Sequence, residues 1–307
     1  MPAVGVGRGT FSICAADPAS GEVGVAVQSK YFAVGAVVPW ARAGVGAVAT
    51  QAAGVAAFGP RVLELLAGGA GPDEALERAL AADPDRETRQ LGAVVAGGAS
   101  SAFTGGECLP WAGHRTGEGY AVQGNILAGE AVVAAMEHAY LTTVGLLAER
   151  LVAALEAGQA AGGDVRGQQS AAVVVERAGA AAESREGVDR ICDLRVDDAA
   201  EPIAELRRLL RIHTVWDALR RATAFHRPGR YAQGAGLLAG VLAAGGEDPA
   251  LLYDLACFES LAGNAGGALA HLERALELDP RLRASAAVDP DLAALASEPV
   301  FGRLLAR

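Results

Sequence analysis

The stretch "TFSICAADPASGEVGVAVQSK", residues 10–30, decides how the fold begins. Its first seven residues alternate between apolar side chains at positions 11, 13 and 15 and nucleophile-capable side chains at positions 10, 12 and 14. A period of two predicts a strand. The sequence "DPASG" is typical of a turn, and "EVGVAVQS" indicates a second strand. The segment is therefore predicted to form a β-hairpin with three nucleophile-capable side chains on one face.

Groups of strands alternate with pairs of helices over the next 170 residues. Hairpin-length links between the strands favour antiparallel sheets covered by helices, whereas a doubly wound parallel sheet needs single helices between single strands. We therefore predict an α/β fold for residues 10–211, a four-layer α/β/β/α sandwich. Strands are expected near 10–16, 22–29, 34–38, 43–51, 89–96, 100–105, 120–125, 168–177 and 189–197, with helices near 58–69, 71–83, 129–140 and 144–157.

The remaining residues, 212–307, have a helical pattern. Residues 249–280 resemble one tetratricopeptide repeat, and a degenerate copy precedes them. Because fewer than three such repeats seldom bury enough apolar surface alone, this all-α appendage is expected to pack on the main domain or on a second subunit. A homo-oligomer or a protein partner bound through this region is the corresponding expectation.

Composition excludes several classes of function. The chain has 307 residues and a formal net charge of −10, which argues against a nucleic-acid partner. No stretch is apolar and long enough to indicate a membrane segment, and no secretory signal is evident, so a cytoplasmic protein is expected. The four cysteines are far apart and are predicted to be reduced. No spacing indicates a metal or an organic cofactor, and Gly44-x-Gly46-x-x-Ala49 lacks the strand–helix context of a dinucleotide site.

Thr10 directly follows Gly9 and allows two interpretations. As a strand residue it is an ordinary β-branched side chain behind a short leader, residues 1–9. As a nucleophile it needs a base, and a free α-amine with a pKa of about 7.7–8.0 provides one at neutral pH. That amine exists only after cleavage of the Gly9–Thr10 bond, and glycine tolerates the distorted backbone from which such a cleavage would begin.

A glycine-rich loop in residues 105–125 carries side chains that suit a substrate site. It contains His114 and Arg115 as candidate substrate-binding residues and ends at Asn125, whose amide could donate to an oxyanion. Cys108 near His114 is half of a metal site at most, because no second ligand pair with metal spacing follows. A purely structural loop is the alternative.

A second glycine-rich loop, residues 162–171, contains Asp164 and Arg166. These two side chains would form an ion pair that either orients a site or lies on the surface. Arg166 is a further candidate substrate-binding residue. Lys30 is the only lysine of the chain, all other basic side chains being arginine. It is either a compact, titratable amine kept for chemistry or an ordinary surface residue.

Three blocks resemble a known family. They are "TFSICAADPASGEVGVAVQSKYFAVGAVVPWARAGVGAVATQA", "PWAGHRTGEGYAVQGNIL" and "GQAAGGDVRGQQSAA". The sequence is similar from about Thr10 to about Leu210 to the family catalogued as domain of unknown function 1028. That family is placed in the N-terminal-nucleophile (Ntn) hydrolase superfamily, whose fold is an α/β/β/α sandwich. The resemblance implies that Thr10 attacks an amide carbonyl and forms an acyl-enzyme.

The same resemblance implies supporting roles for several residues. Lys30 or Arg42 would keep the Thr10 amine deprotonated, and Ser29 or Asp164 would orient it. This chain carries nine residues ahead of Thr10, whereas many relatives begin at or one residue before it, so the implied mechanism requires processing. The stretch Asp193–Arg211 also resembles an accompanying module labelled peptidoglycan-binding, although it is acidic.

Two functions follow as hypotheses. The first is a cytoplasmic amidohydrolase of the Ntn type that acts on a small amide or peptide-like substrate through Thr10, without a cofactor. The second is a catalytically inactive Ntn-fold protein that uses its helical tail for protein contacts, or, less directly, binds peptidoglycan fragments.

Overall fold

The computed structural model describes residues 9–183, 187–227 and 229–306. The chain forms two compact units, which divide between Leu210 and Arg211. The first unit contains all ten strands found in the described residues, in two antiparallel sheets. The second unit is helical. The protein is thus a mixed α/β protein with a helical C-terminal region.

The hairpin at residues 10–29 forms the centre of the larger sheet. Strand β1 pairs with β2 from Thr10 opposite Ser29 to Asp17 opposite Glu22, without a register shift. Six strands in the order β10-β9-β2-β1-β8-β7 make up this sheet. Their bounds are β1 Thr10–Asp17, β2 Glu22–Ser29, β7 Gly113–Gly117, β8 Tyr120–Asn125, β9 Ser170–Arg177 and β10 Arg190–Val196.

The smaller sheet has four strands in the order β3-β4-β5-β6. It packs face to face with the larger sheet, and small residues of both sheets fill the space between them. The strands are β3 Pro39–Arg42, β4 Gly46–Ala52, β5 Arg89–Val95 and β6 Ser100–Thr104. Buried residues of this inter-sheet layer include Cys14, Val25, Val27, Ala47, Ala49 and Val94.

Helices cover the outer face of each sheet. The alternation in β1 directs Phe11 and Ile13 to the outer face of the larger sheet, where they pack with helices α3 (Glu130–Thr142) and α4 (Leu147–Ala160). Helices α1 (Phe58–Ala67) and α2 (Pro72–Leu80) cover the smaller sheet. The first unit therefore has four layers: helices, six strands, four strands and helices. The short helix α5, Ala180–Glu183, lies between β9 and β10.

The second unit is built from helices, two of which have a side-chain cap at the N-terminus. Asp248 accepts hydrogen bonds from the backbone N–H groups of residues 250 and 251, and Asn264 accepts one from residue 267, so both cap the helices that follow. Helix α6, Pro202–Ala222, contains the boundary between the units. The other helices are α7 Tyr231–Ala243, α8 Pro249–Leu261, α9 Ala265–Leu278, α10 Leu282–Ala286 and α11 Pro299–Ala306.

The structure differs from the sequence prediction in several segments of the first unit. Strand β3, Pro39–Arg42, and the short helix α5 were not predicted. The predicted strand at 34–38 is wrong: Val34–Ala36 form a 3-10 turn that follows Ala33 in a left-handed conformation. The apolar run is buried as expected, because Val34 and Val38 belong to the inter-sheet core. Its backbone, however, forms a turn and not a strand. Strand β7 was not predicted, since its sequence, "GHRTG", lacks the apolar alternation of a strand.

Among the helices that the structure describes, none combines the length and apolarity that crossing a membrane requires.

The two sheets approach closely at Gly92, so adding a single methyl group there is expected to destabilise the protein. A Cβ atom there would lie 2.0 Å from Gln123 Oε1 of the opposite sheet. We expect Gly92→Ala to lower the free energy of unfolding by about 1–3 kcal/mol, as overpacking does. Gly97→Ala is the matched control, because nothing lies within 4 Å of a Cβ at that position. Urea unfolding of both variants tests this; equal midpoints would contradict the packing argument.

The helical unit is expected to be less stable above pH 6 than in acid. Burial, together with the carboxylates of Asp289 and Asp291, raises the pKa of Asp254 to about 6 from an ordinary value of 3.8. The folded state therefore holds this proton more tightly than the unfolded state, so the free energy of unfolding falls as the pH rises between these two values.

Asp254→Asn is expected to remove this fall in the free energy of unfolding, because an amide cannot ionise. We expect the variant to be more stable than wild type at pH 7.5, by on the order of 1–2 kcal/mol given the partial exposure of the site. At pH 4 the two proteins should be nearly equal. Hydrogen exchange of α8 amides in the full chain measures the stability of each protein at each pH. A difference between wild type and variant that is the same at the two pH values would refute the expectation.

Candidate active site

Thr10 lies at an edge where three strands of the larger sheet begin or end. Ser29, the last residue of β2, lies opposite Thr10 on one side, and Asn125, the last residue of β8, lies opposite it on the other. The three residues are 3%, 0% and 1% exposed, respectively. Antiparallel pairing therefore brings together three polar side chains that are up to 115 positions apart in the chain.

The hydroxyl groups of Thr10 and Ser29 form a directed chain that ends on a carbonyl. Thr10 Oγ1 donates to Ser29 Oγ at 3.0 Å, and Ser29 Oγ donates to the Gly9 carbonyl oxygen at 2.5 Å. Arg166 Nη2 donates to the same oxygen at 2.7 Å. The carbonyl of the peptide bond before Thr10 thus accepts from two donors, one of them charged. Donors in this position stabilise negative charge that develops on the oxygen.

A fully buried carboxylate fixes the direction of Arg166. The side chain of Asp164 has 0% exposure and that of Arg166 has 20%. Arg166 donates to the two Asp164 oxygens through Nε at 3.1 Å and Nη2 at 2.7 Å, and through its backbone N–H at 2.9 Å. The backbone N–H of Lys30 donates to Asp164 Oδ2 at 3.3 Å. The predicted ion pair therefore exists and lies inside the site.

Behind Thr10, buried amide side chains connect the two sheets. Ser12 Oγ donates to Gln51 Oε1 at 2.6 Å and accepts from Gln123 Nε2 at 2.6 Å. Gln51 Nε2 donates to Gln90 Oε1 at 2.8 Å, and Asn125 Nδ2 donates to the same oxygen at 2.9 Å. These bonds satisfy polar groups that would otherwise be costly between two sheets. They also fix the position of β1 relative to the smaller sheet.

Sequence reasoning missed the three glutamines of this layer. The available signal was their position, since each is an amide at an inward-facing place in a strand whose other inward residues are small and apolar. Gln51 reaches Thr10 directly, because its Nε2 donates to the Thr10 carbonyl oxygen at 3.4 Å. Asn125 lies beside Thr10 as a member of the same layer, with its amide directed to Gln90.

A pocket of about 90 Å³ adjoins the two hydroxyl groups. Thr10, Ser29, Thr50 and Gln51 supply its polar wall. The rest of its lining is small or apolar and comes from the segments after β2 and after β4. These residues are Tyr31, Val34, Val37, Val38, Ala52, Gly54 and Ala56.

Backbone strain is concentrated around the same edge. Three non-glycine residues in the described parts of the chain have a left-handed backbone: Ala33, Ala52 and Ile126, with φ of 53°, 67° and 54°. Ala52 ends β4 and lines the pocket, and Ile126 directly follows Asn125. Such conformations cost on the order of 1–3 kcal/mol each and cluster at functional sites. The strain therefore supports this edge as the site.

The two basic residues expected beside the Thr10 amine lie elsewhere. The ammonium group of Lys30 donates to the Gln168 carbonyl at 3.1 Å and its side chain is exposed, so only its backbone reaches the site. Arg42 is exposed and pairs with Gly46 at the far end of β4. Four residue-to-residue steps of about 3.3 Å each separate Gly46 from Thr50 in the pocket wall. The structure does not bring Arg42 to Thr10.

His114 and Arg115 lie on the edge strand β7 with their side chains on opposite faces. His114 Nδ1 bonds to Thr104 Oγ1 at 2.8 Å on the inter-sheet side, and partial burial lowers the pKa of the imidazole. Arg115 donates through Nε to Glu137 at 2.5 Å and through Nη1 to Glu130 at 3.3 Å, both in helix α3. Arg115 is therefore on the outer face of the sheet, away from the Thr10 side chain.

The thiols near the site are poorly suited to be nucleophiles. Burial raises the pKa of both Cys14 and Cys108, which reduces the fraction of reactive thiolate. Cys14 Sγ donates to the Gly92 carbonyl at 3.4 Å, and Cys108 Sγ donates to the Arg89 carbonyl at 3.3 Å. Both thiols thus have structural partners, so the candidate nucleophiles at this edge are hydroxyl groups.

One group of metal-type ligands occurs in the described residues, in the helical unit. It consists of Cys257, Asp289 and Asp291. Asp289 accepts from the Tyr253 hydroxyl at 2.8 Å and from the backbone of residue 291 at 3.0 Å, and Asp291 bonds to His226 Nε2 at 2.6 Å. These contacts join the 3-10 helix Pro290–Leu295 to α8 and give the group a structural role.

The layered sheets and the edge around Thr10 define a mixed α/β protein with a buried hydroxyl–carbonyl site. The chain belongs to the family described as Family of unknown function (DUF1028), whose model matches residues 10–206. The match covers the layered unit and begins at Thr10.

A solved structure agrees with this assignment. The chain is similar to a crystal structure of a protein from Silicibacter pomeroyi of the same family, with 31% sequence identity and a TM-score of 0.62. The alignment covers 70% of this chain and 94% of that one. A search of curated proteins gives no match.

The closeness of Gly9 to Asp164 makes position 9 sensitive to any side chain. A Cβ atom there would lie 2.6 Å from Asp164 Oδ2 and 2.7 Å from Oδ1. We expect Gly9→Ala to displace the Gly9 carbonyl from Ser29 and Arg166, because the buried carboxylate cannot move without breaking its bonds to Arg166. The lost alignment should slow any reaction at the Gly9–Thr10 bond at least tenfold.

Intact mass measured over time after synthesis follows that reaction, and Gly71→Ala serves as the control, since nothing lies within 4 Å of a Cβ at position 71. Equal time courses for Gly9→Ala and wild type would show that the contact with Asp164 does not matter.

Proposed function

We propose that this protein is an N-terminal-nucleophile amidohydrolase that cleaves a small amide or peptide-like substrate with Thr10. The observation that carries the proposal is the pair of donors on the Gly9 carbonyl, Ser29 Oγ and Arg166 Nη2, beside the Thr10 hydroxyl. The four-layer arrangement of the first unit supports it, because that is the layer order of the Ntn superfamily that the sequence resembles.

The first reaction of the proposal is cleavage of the Gly9–Thr10 bond. Thr10 Oγ1 attacks the Gly9 carbonyl carbon, and the resulting oxyanion lies between Ser29 Oγ and Arg166 Nη2. The C–N bond breaks, the hydroxyl proton passes to the released α-amine, and Gly9 remains as an ester on Oγ1. Water then hydrolyses the ester, which frees residues 1–9 as a carboxylic acid and restores the hydroxyl.

The mature protein would carry out the same chemistry on a substrate. The Thr10 α-amine takes the hydroxyl proton, since an ordinary pKa of about 7.7–8.0 leaves part of it neutral at pH 7–8. Oγ1 attacks the substrate carbonyl, the leaving amine departs with the proton, and water hydrolyses the acyl ester. Removal of residues 1–9 releases Ser29 Oγ and Arg166 Nη2 from the Gly9 carbonyl, so both become available to the substrate.

The site residues divide into those that touch the reacting carbonyl and those that position them. Thr10 is the catalytic residue, and Ser29 and Arg166 are proposed to touch the reacting carbonyl. Asp164 is a positioning residue that acts through Arg166. Lys30 contributes a backbone donor to Asp164. Arg42, Arg115 and His114 have no role in this scheme, because their side chains bond elsewhere or lie at a distance.

A non-catalytic protein that binds partners is the second candidate function. The observation in its favour is the exposure of two large apolar side chains one turn apart on α6, Ile212 at 42% and Trp216 at 57%. Exposed tryptophan is typical of protein interfaces. In that case the layered unit would have kept its fold without using the Thr10 chemistry.

Intact mass of the untagged protein separates the two candidates. Wild type is expected to lose residues 1–9, and Thr10→Ala to keep them. Arg166→Ala should be processed about 100-fold more slowly, the usual effect of losing one oxyanion donor. Thr116→Ala, a threonine exposed on β7, is the matched control and should be processed like wild type.

The other outcomes point to different conclusions. If Thr10→Ala is shortened like wild type, another peptidase makes the cut. If wild type keeps residues 1–9, the free amine does not form and the non-catalytic candidate becomes the working hypothesis.

A further inference from the structure

The pocket beside Thr10 has the size and lining of a specificity pocket for a short aliphatic chain. Thr10 and Ser29 are among its lining residues. Its remaining walls include the side chains of Val34, Val37, Val38, Ala52 and Ala56, and no charged side chain is among its lining residues. A charged group would lose its hydration there without gaining a partner.

The volume indicates the size of the group that the pocket can enclose. A cavity of about 150 Å³ holds benzene, with six heavy atoms. The pocket here has about 90 Å³. By proportion it accommodates about three or four heavy atoms, which corresponds to a propyl, isopropyl or isobutyl group.

The walls are held in place, so the pocket does not simply widen for a longer chain. Val34 and Val38 belong to the buried layer between the sheets. Thr50 Oγ1 donates to the Val55 carbonyl at 3.2 Å and ties down the segment after β4 that carries Ala56. Because close-packed walls respond to a single methylene, this pocket can discriminate by chain length.

The chemistry decides which half of the substrate uses the pocket. In the acyl-enzyme the amine half has left and the acyl half is bonded to Thr10 Oγ1. The group that remains lies next to that oxygen. Asp164 leaves no room for a side chain at position 9, so the pocket, which Thr10 lines, is the space left for an acyl chain.

We propose that the substrates of this site are amides of short, uncharged aliphatic carboxylic acids, with about three or four carbons beyond the carbonyl in the pocket. This inference rests on the proposed function and narrows it. Thr10 Oγ1 attacks the acyl carbon, the C–N bond breaks with the hydroxyl proton passing through the α-amine to the leaving amine, and water releases the short carboxylic acid and restores the hydroxyl.

A series of β-lactones tests the proposal with the mature protein, residues 10–307. Ring opening by Thr10 breaks the acyl C–O bond of the ring and attaches the whole molecule as an ester with a free β-hydroxyl, so intact mass and peptide mapping report both the site and the rate of labelling. The lactones carry a methyl, an isopropyl or an n-hexyl group on the carbon next to the carbonyl. We expect the isopropyl compound to label Thr10 at least tenfold faster than the n-hexyl compound, since one methylene in an apolar pocket changes such rates by about 10-fold or more.

Two variants change the pocket in opposite directions. Ala56→Leu fills it and should slow isopropyl labelling at least tenfold while leaving methyl labelling within about threefold of wild type. Val37→Ala enlarges it and should speed n-hexyl labelling. Val144→Ala, whose side chain is 95% exposed between α3 and α4, is the control and should match wild type with every lactone.

Failure of the inference and failure of the proposed function give different results. Labelling of Thr10 that is equally fast with the n-hexyl compound, or unchanged in Ala56→Leu, overturns the short-chain specificity and leaves the nucleophile intact. Absence of Thr10 labelling by all three lactones in processed protein overturns both.

Discussion

The buried pair of Asp164 and Arg166 is the interaction on which the site depends. A carboxylate without exposed surface requires several donors, and it obtains them from the guanidinium, from the backbone of Arg166 and from the backbone of Lys30. In satisfying the carboxylate, these bonds direct one guanidinium nitrogen at the Gly9 carbonyl. The same carboxylate excludes any side chain from position 9. One buried charge thus determines both the donor and the residue that it acts on.

The amide layer between the sheets has a comparable effect on the scaffold. A purely apolar interface would tolerate small shifts of one sheet over the other, whereas hydrogen bonds among Ser12, Gln51, Gln90 and Gln123 require a single relative position. Because Gln51 also reaches the Thr10 carbonyl, the start of β1 is tied to the smaller sheet. The position of Thr10 is therefore set by both sheets.

Local patterns were sufficient to predict the central hairpin, because alternation and turn residues act over a few positions. The Asp164–Arg166 pair was also predictable, since the two residues are only two apart. The positions of the Arg42 and Arg115 side chains were not predictable. Each depends on the register of a strand, and a shift of one residue moves a side chain to the opposite face of the sheet. The 3-10 turn at Val34–Ala36 follows a left-handed Ala33, and an apolar run in the sequence does not signal that backbone conformation.

The three left-handed residues around the site have a consequence for evolution of the protein. Glycine at Ala33, Ala52 or Ile126 would remove the steric cost of their backbone, but would also let the walls of the pocket and the end of β8 move. Glycine would also give the unfolded chain more freedom, which offsets part of the relieved strain. A relative with glycine at these positions would therefore have exchanged a rigid pocket wall for a less strained backbone.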